Sequence, residues 1–579
     1  MSHQTNQPIS PLIFDGFSGV DHTRSHQNEP LTSELVNFRI LPDGSIEKRC
    51  GYRLLNEFPE EIRAFWSGII DGVPSAYVVH GNKFEKIRLT NGEQTLLATL
   101  ATDTGNACVF HWNQTLYLMD ATDLYQYDGT ELRHVSGYIP LVGKDWVNNY
   151  IGEPYEPINI LSRQVRVSYV IDPEHVSTFL CTPEPVESVE AVYRNGLRVS
   201  EEEYYIYEPF QTVNVRNVQG NDRIVIYMTL KGDPRDQMTE LLRCNQTMAF
   251  ESPTAPRLFF WDDRQRSPMI CSSYVEKATT EILKSHGFSD CFLYIPKGYE
   301  FMVGDGHIRI QGALRQQDDL LIFTENSTWK ADALVSGISE IPTVNIHSDV
   351  GCTSPSGIIL ADNDPVVFDK NSVRRLSQSS GNSDIYHSES ISVPIDPLLR
   401  DAVSTGASLF YHKTKDELWL SLPAMESIWI YQFPTKRWFQ WKGICAHRLF
   451  DVNGSVGFLT KNGIFVLDES TKVDQLAKET FREIVATAQT NILDFGSNGK
   501  KSFSGLVLRC DLDRGELGVS LHSPDLPIVK RSIKDRRSHP HSILKLRLPS
   551  GRFQTAKIAL TATGRARQRI HGMELHLHE

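Results

Sequence analysis

The stretch DLLIFTENSTWK, residues 319–330, joins a strand of large apolar side chains to an aromatic strand through a short polar turn. The same order of apolar strand, polar turn and second strand returns along most of the chain. The clearest other copies are 109–119 with 124–127, 365–368 with 373–376, 418–422 with 428–431, and 455–459 with 463–467. Such repetition is typical of stacked four-stranded blades. The pattern predicts an all-β protein built on a β-propeller of six or seven blades.

Length and composition narrow the class of protein. The chain has 579 residues, 40% hydrophobic and 10% aromatic, which suits a folded, β-rich protein. It holds no apolar run long enough for a transmembrane helix, and its polar start, residues 1–11, lacks the order of a signal peptide. None of the nine cysteines forms a CxxC pair, and their irregular spacing predicts reduced thiols rather than disulfides or a zinc site.

The overall charge limits the partners. The formal net charge is −12 and the isoelectric point is about 5.9. This balance argues against a protein that grips nucleic-acid phosphates over a wide surface. It is compatible with a surface that nucleic acid slides past without binding.

Changes in the pattern predict the domain organisation. The repeated blade pattern stops at about residue 152. From there, alternating strands with Asn-Gly and Gly-Asn-Asp turns predict an inserted β-sandwich. Alternation near the end of the chain also predicts a C-terminal β-sandwich. The predicted units are an N-terminal arm over 1–35, propeller over 36–151, inserted sandwich over 152–235, propeller over 236–470 and C-terminal sandwich over 471–579. Short helices are predicted over 233–243 and 277–284, with a linker helix over 472–481.

Three parts of the chain resemble one family. The opening, 37–52, contains LPDGSIEKRCGY and resembles the passage of phage structural proteins into a propeller. The centre, 189–226, resembles a sandwich that is widely reused in phage tail proteins. The end, 494–575, contains DFG and RIHGMEL and resembles their C-terminal module. Together these motifs make the chain similar to the tail nozzle proteins of short-tailed phages, also called head-to-tail stabilisation or tail accessory proteins.

The resemblance implies a virion protein that is assembled in the host cytoplasm. It implies a homo-hexameric ring at the distal end of the phage tail, below the portal and adaptor rings of the head–tail connector complex. The ring would enclose the DNA channel and gate genome release. Its partners would be other copies of itself, tail adaptor or portal-proximal proteins, tail fibres or spikes, and genomic DNA that passes without specific binding.

Acidic and histidine residues are weighed as chemical sites. Asp262 and Asp263 could be metal ligands or an acid/base pair, but a solvated blade turn is favoured. Asp362, Asp364 and Asp369 match a calcium loop only loosely, because the glycine and the final glutamate of an EF-hand are missing. His571, His576 and His578, and likewise His539 and His541, are favoured as surface histidines over metal ligands, since no third ligand has matched spacing.

Glycine-rich and aromatic segments are weighed in the same way. The segments 304–306 and 351–357 lack the Gly-Lys-Ser/Thr ending and the following helix of a phosphate loop, so turns are expected. An aromatic cluster could stack on sugars, but aromatic residues at alternate strand positions favour blade core. Its members are Trp419, Trp429, Trp438, Phe439 and Trp441.

Two basic groups are the candidate contact residues. The first lies in 530–541, which is predicted to be a long exposed loop, and the second is predicted to occupy one face of a strand. The groups are Lys530, Arg531, Lys534, Arg536 and Arg537, and Arg565, Arg567 and Arg569. Either group could dock an acidic protein neighbour or touch DNA, and a solvated loop remains the alternative.

These observations favour a non-enzymatic structural protein with no catalytic residue, cofactor or metal. Two alternatives stay open. One is a tail-tip or baseplate subunit made of the same modules. The other is a receptor- or glycan-binding propeller, including a glycan-cleaving enzyme, which would need paired carboxylates about 5 to 9 Å apart that face the central channel.

Overall fold

The computed structural model describes residues 10–23, 28–70, 72–148, 150–208, 211–233, 235–253, 256–266, 268–273, 275–288, 292–334, 341–379, 382–400, 402, 405–496, 499–534, 542–547 and 551–578. The architecture is all-β, with 54% strand and 6% helix. Within these ranges no helix is long and apolar enough to cross a bilayer.

Five short strands open the chain: β1 (Leu12–Phe14), β2 (Thr32–Val36), β3 (Phe38–Ile40), β4 (Ile46–Lys48) and β5 (Gly51–Glu57). Blade one follows as β6 (Ile62–Ile70), β7 (Val73–His80), β8 (Lys83–Arg88) and β9 (Gln94–Thr99). Blade two comprises β10 (Ala107–Trp112), β11 (Thr115–Asp120), β12 (Leu124–Tyr127) and β13 (Leu132–His134). In both blades each strand pairs antiparallel with the next one along the chain.

An inserted module separates blades two and three. Its strands are β14 (Leu141–Val147), β15 (Gln164–Val170), β16 (Phe179–Cys181), β17 (Val186–Arg194), β18 (Leu197–Arg198), β19 (Tyr204–Tyr207), β20 (Thr212–Val215) and β21 (Arg223–Leu230). A five-stranded sheet, β14-β15-β21-β17-β18, packs on a three-stranded sheet, β16-β20-β19, over a core of valines and isoleucines. Strand β14 pairs with β15, so the sandwich includes residues before the boundary predicted at 152.

The remaining blades follow the insert. Blade three holds β22 (Gln246–Phe250), β23 (Arg257–Trp261), β24 (Met269–Cys271) and β25 (Glu300–Phe301). Blade four holds β26 (Ile310–Gln316), β27 (Asp319–Thr324), β28 (Thr328–Ala331) and β29 (Thr343–His347). Blade five holds β30 (Ile358–Ala361), β31 (Asp364–Asp369), β32 (Ser372–Ser379) and β33 (Asn382–Ser390). Blade six holds β34 (Ser408–His412), β35 (Glu417–Leu422), β36 (Ser427–Gln432) and β37 (Arg437–Lys442).

Blade seven is completed by a strand from the start of the chain. It contains β38 (Arg448–Val452), β39 (Ser455–Leu459) and β40 (Gly463–Asp468), and β5 pairs antiparallel with β40 as the fourth strand. The described residues therefore form seven four-stranded blades, and the predicted all-β propeller with added sandwiches is confirmed. Recruiting an early strand into the last blade ties the two ends of the ring together.

Apolar side chains fill the gaps between neighbouring blades. Phe110 of blade two lies 5.6 Å from Phe260 of blade three, measured between ring centroids. Phe65 of blade one lies 4.8 Å from Phe450 of blade seven, and continuous apolar clusters join the other neighbours. Because blade seven packs on blade one, the seven sheets close into a ring without an open face.

Three helices interrupt the strands: α1 (Arg235–Arg243), α2 (Lys277–Ser285) and α3 (Asp396–Leu399). Helices α1 and α2 lie where the sequence predicts them. Helix α2 belongs to blade three and anchors the inserted sandwich, because His286 at its end stacks on Tyr193 at 3.9 Å and lies 2.9 Å from the Tyr227 hydroxyl. The contact buries Leu283 among tyrosines from both units.

Strands β41 (Val473–Ala477) and β42 (Thr480–Glu483) follow blade seven. The last strands build the terminal sandwich: β43 (Ala486–Thr490), β44 (Ser502–Asp511), β45 (Glu516–Ser523), β46 (Leu526–Lys534), β47 (Ser542–Leu546), β48 (Lys557–Thr563) and β49 (Arg569–His578). One sheet has the order β3-β4-β49-β44-β47, with β1 also on β49. The other, β2-β43-β48-β45-β46, continues the sheet of blade six through β2 and β37. The N-terminal arm predicted over 1–35 therefore supplies two strands of this sandwich.

The predicted linker helix over 472–481 is wrong. These residues form the hairpin β41–β42, and β41 lies beside β5 at the outer side of blade seven, where Asp474 pairs with Tyr52 in register. Pairing with a strand more than 400 residues away overrides the local helical pattern. The hairpin thus extends blade seven rather than the sandwich to which 471–579 was assigned.

The two sandwiches lie on opposite sides of the ring. The inserted sandwich rests on blade three through α2, whereas the terminal sandwich extends blade six and is joined to blade seven by the hairpin β41–β42 and by β5. In a ring of seven blades, blade three is about half a turn from the boundary between blades six and seven. The propeller therefore carries one β-module at each end of a diameter.

Candidate functional site

The outer face of the terminal sandwich is a polar groove. On β45, Leu517, Val519 and Leu521 point into the core, so alternation turns Ser520 and His522 outward. The groove extends over the five strands from β2 to β46. The groove has a volume of about 560 Å³.

Two of the predicted basic residues line this groove. Lys530 and Arg531 are exposed on the edge strand β46, and neither forms an ion pair within the described ranges. Lys530 pairs with Ser520 and faces the groove, whereas Arg531 pairs with Val519 and leaves the sheet edge on the other face. Glu34 of β2 lies on the opposite wall, 3.4 Å from the Thr487 hydroxyl. Ser520 Oγ and His522 Nε2 lie 2.8 Å apart on the floor. The groove thus offers the free ammonium group of Lys530 on one side of a floor of hydroxyl groups and small side chains, and Arg531 adds a second cation at the edge of the sheet.

The first basic group is mostly a strand rather than the predicted loop. Strand β46 runs through Lys534 and pairs with β45 over its length, because Val529 and Ile533 pack against the sandwich core. Lys534 Nζ lies 3.1 Å from Glu516, and the Ser532 hydroxyl together with Lys534 lowers the pKa of the Glu516 carboxyl. The residues Arg536, Arg537, His539 and His541 lie outside the described ranges.

The second basic group does not occupy one strand face, as the sequence predicts. Strand β49 begins only at Arg569, so Arg565 and Arg567 belong to the preceding turn. Arg567 binds Glu47 through Nε and Nη2, at 3.0 and 2.7 Å. Arg569 binds Asp43 and, at 2.9 Å, the Ser45 hydroxyl, so Arg567 and Arg569 hold the β3–β4 hairpin onto β49. Arg565 is exposed.

Charge is distributed very unevenly between the two sandwiches. Residues 484–579 hold 16 Lys and Arg against 8 Asp and Glu, and residues 12–48, which supply β1 to β4, hold 3 against 6, so the terminal sandwich has a formal charge of +5. Residues 141–230 of the inserted sandwich hold 7 Lys and Arg against 13 Asp and Glu, a formal charge of −6. The chain as a whole is at −12, so the terminal sandwich is a basic module on an acidic protein.

The acidic side chains of the insert gather near the start of β19. Glu201 and Glu202 are exposed in a short helical turn before this strand, and Glu190 is exposed on the adjacent β17. Burial raises the pKa of the Tyr204 phenol, the Glu201 and Glu190 carboxylates raise it further, and the Arg198 guanidinium lowers it. We call Glu190, Glu201 and Glu202, which are exposed on β17 and in the turn before β19, the acidic patch.

Asp262 and Asp263 form the predicted turn, although Asp262 is buried rather than solvated. Asp262 ends strand β23 and binds Arg264, whose Nε lies 2.7 Å away. Burial raises the pKa of Asp262, but hydrogen bonds from Arg264 outweigh this and leave the pKa lowered. Burial raises the pKa of Asp263, which accepts a hydrogen bond from Asn245. Asp262 thus holds its own turn together, whereas Asp263 joins this turn to the segment before β22.

The aspartates that loosely match a calcium loop do not gather around one point. Asp364 and Asp369 stand at the two ends of β31, so roughly 16 Å of strand separates them. Each pairs with its own arginine, Asp364 with Arg375 at 2.7 Å and Asp369 with Arg374 at 3.5 Å. Three such carboxylates cannot surround one ion, and the described residues contain no His, Cys, Asp and Glu group that could hold a metal.

The C-terminal histidines have separate partners. His571 Nε2 lies 3.0 Å from Asp511, and His576 Nε2 lies 3.1 Å from Glu574. His571 also borders a groove of about 440 Å³, together with Asp15, Asp43 and Arg509, on the sheet β3-β4-β49-β44-β47.

The tryptophan cluster is blade core, as favoured by the alternation. All five aromatic side chains are at most 3% exposed, and Trp419 meets Trp441 edge-on at 4.9 Å. In the glycine segments, a Cβ on Gly351 would lie 2.4 Å from the backbone of Glu325 and Asn326, so this glycine permits close packing of two loops. Gly304 and Gly306 adopt positive φ in the turn before β26.

Sequence reasoning missed the groove itself and the buried ion pair that fixes the terminal sandwich. Arg49 donates to both carboxylate oxygens of Asp474 at 2.7 Å and to the Asn37 side chain at 2.9 Å. Arg49 stands in the quoted motif KRCGY, but its partner lies 425 residues away. The groove requires strands from both ends of the chain, and alternation within β45 is the only local signal.

Comparison with known proteins gives fold-level likeness only. No family model and no curated protein matches the chain. A structural-genomics target provisionally assigned as a gluconolactonase matches at 8% identity and a TM-score of 0.29, over 74% of this chain and 93% of its own. PorZ of the Porphyromonas gingivalis type-IX secretion system matches at 8% identity and a TM-score of 0.34, over 78% of this chain and 44% of its own. The Cps50 (Swd1) β-propeller domain of Myceliophthora thermophila matches at 8% identity and a TM-score of 0.36, over 72% of this chain and 100% of its own. Likeness at this level carries no argument about activity.

Proposed function

We propose that the chain is a structural subunit of a closed ring at the distal end of a phage tail, where the ring encloses the DNA channel and gates genome release. The placement of the two sandwiches at opposite ends of a propeller diameter carries the proposal. A head-to-tail ring needs two different surfaces on opposite sides of each subunit, and it closes without leaving either surface exposed.

The joints between the modules support a load-carrying role. Strand β2 makes the terminal sandwich and blade six one continuous sheet, and the ion pair of Arg49 with Asp474 is buried where this sheet meets blade seven. On the other side, Tyr193 and His286 hold the insert against α2. A subunit with such joints transmits force between neighbours instead of flexing at a linker.

The phage assignment rests on the resemblance of 37–52, 189–226 and 494–575 to nozzle proteins. Net negative charge on the chain also suits a conduit, because carboxylates repel the phosphates that pass them. Acids that a propeller hydrolase could use, such as Asp262 and Asp369, are engaged with arginines at blade turns. These contacts favour a structural role over catalysis.

Cryo-electron microscopy of the native particle that contains this chain tests the proposal. We expect six copies in a ring at the distal end of the tail, each touching one neighbour through its inserted sandwich and the other through its terminal sandwich. Single copies or trimers that project outward would contradict the proposal. Release of oligosaccharides from host surface glycans by the purified chain would favour the glycan-cleaving alternative.

A further inference from the structure

We infer that the ring contact is an electrostatic one, in which the polar groove of the terminal sandwich receives the acidic patch of the inserted sandwich from a second copy of this chain. The inference rests on the proposed ring and names the residues that would close it. It commits to another copy of the same chain as the occupant of the groove.

The edge strand that borders the groove presents cations that the subunit itself leaves unused, Lys530 on the groove side and Arg531 on the other side of the edge. Lys530 and Arg531 are exposed and form no ion pair within the described part of the chain, whereas their neighbour Lys534 is held by Glu516. An edge strand with several lysines and arginines repels other basic strand edges, so it discourages uncontrolled sheet extension. The same side chains attract a carboxylate surface.

The acidic patch presents the complementary charges. Glu201 and Glu202 are exposed and form no ion pair in the part of the chain that the structure describes, and Glu190 lies close enough to Tyr204 to perturb its phenol. The modules that carry the two surfaces have formal charges of +5 and −6. Opposite charges of this size steer association and set its register.

Geometry prevents the two surfaces from meeting within one subunit. They belong to modules about half a turn apart on a seven-bladed ring, so Lys530 cannot reach Glu201 of the same chain. Successive copies can instead place the groove of one against the patch of the next. This contact is heterologous, and it repeats until the ring closes.

Charge reversal on the purified full-length chain tests the contact. Mass photometry measures the size of the wild-type assembly, of K530E/R531E and of E201K/E202K. We expect each double variant alone to lose the ring, because groove and patch then carry the same sign. An equimolar mixture of the two variants should regain it, since each altered groove now meets a patch of opposite charge and an even-numbered ring allows alternation.

A zero-length carbodiimide cross-link locates the contact in the wild-type protein. We expect links between Lys530 and Glu201 or Glu202, and these links must join different subunits. K500E with K545E, which changes exposed lysines of the same sandwich outside the groove, is the matched control and should keep the ring.

The outcomes separate this contact from the ring itself. A wild-type chain that stays monomeric at every concentration contradicts both the contact and the proposed function. If the wild-type chain forms rings and both double variants form them too, the charged contact is contradicted and the ring is not. If duplex DNA raises the measured mass of the wild-type assembly but not that of K530E/R531E, while both still form rings, the groove binds nucleic acid and the inference is overturned.

Discussion

Arg49 and Asp474 form a two-pronged ion pair in which both N–O distances are 2.7 Å and both side chains are 1% exposed. The pair joins the segment between β4 and β5 to the outer hairpin of blade seven. Arg49 also donates to the carbonyl of Lys442, the last residue of blade six, at 3.2 Å. One guanidinium group therefore connects two blades and the root of the terminal sandwich.

Removing one partner of this pair should be strongly destabilising. We expect Asp474→Asn to lower the free energy of unfolding by about 3–5 kcal/mol, because the Arg49 guanidinium group then stays buried without its counter-ion. Arg49→Met should cost less, because Asp474 keeps Arg482 at 3.4 Å. Thermal unfolding followed by tryptophan fluorescence measures the effect. The matched control is Arg88→Met, since Arg88 pairs with Glu93 at the same 2.7 Å but both side chains are about half exposed. That change should alter stability by less than about 1 kcal/mol, and equal losses would refute the role of burial.

Lys48 should make stability depend on alkaline pH. Its side chain is 1% exposed, and burial lowers the pKa of the amine to about 8. Because the folded pKa lies below the unfolded value of about 10.4, the charged amine penalises folding fully below pH 8, and the penalty disappears by about pH 10.5. We expect Lys48→Met to stabilise the protein by about 2 kcal/mol at pH 7, after loss of the hydrogen bond to the Gly564 carbonyl.

The check for Lys48 is the difference in unfolding free energy between wild type and variant as a function of pH. This difference should shrink steadily from pH 8 to pH 10.5. A difference that stays constant over this range would show that the amine is not desolvated in the folded protein.

Gly51 has no room for a side chain at the point where the ring closes. A Cβ at this position would lie 1.8 Å from the Val473 carbonyl oxygen, where β5 passes β41. We expect Gly51→Ala to push these strands apart and to lower the melting temperature by several degrees. Gly505→Ala is the control, because its Cβ would meet only the Leu546 carbonyl at an ordinary 3.6 Å. Similar melting temperatures for both variants would contradict the steric argument.

His286 should make docking of the inserted sandwich sensitive to acid. Burial lowers the pKa of this imidazole, and the nearby Arg166 guanidinium lowers it further. Since the folded pKa is depressed, the stability of the docked state is fully present above the unfolded pKa of about 6.5 and falls as the pH drops below it. We expect hydrogen exchange of α2 to accelerate between pH 6.5 and pH 5 after correction for intrinsic exchange. His286→Phe keeps a stacking ring on Tyr193 and should abolish this acceleration; a variant with the same pH response would rule out His286 as the cause.

Blade strands were predictable because their signal is local. In Leu418 to Leu422 and Ile428 to Tyr431 the apolar and aromatic residues belong to strands that pair with their immediate neighbours in sequence. The sequence also predicts that the tryptophans of blade six belong to the core, because aromatic residues at alternate strand positions are a local pattern, and all of them are buried.

Other features depend on pairings that local patterns do not encode. The hairpin β41–β42 exists because β5 offers an edge to Asp474, and β2 forms a strand because β37 and β43 flank it. Of the candidate basic residues, Lys530 and Arg531 line a groove, whereas Arg567 and Arg569 are engaged by Glu47 and Asp43. Sequence shows the positive charges in both groups alike, but only the fold supplies the carboxylates that neutralise the second.

Strand β5 has a consequence for how the protein is made. It leaves the ribosome early, yet its partner β40 begins at Gly463, about 400 residues later. At translation rates of about 5–20 residues per second, Gly51 to Glu57 wait roughly 20 to 80 s for that partner. During this interval blade seven does not exist and the flank of blade one against which it packs is uncovered. Ring closure therefore waits until most of the chain has been synthesised, and the nascent chain needs protection from neighbouring polysomes until its last blade emerges.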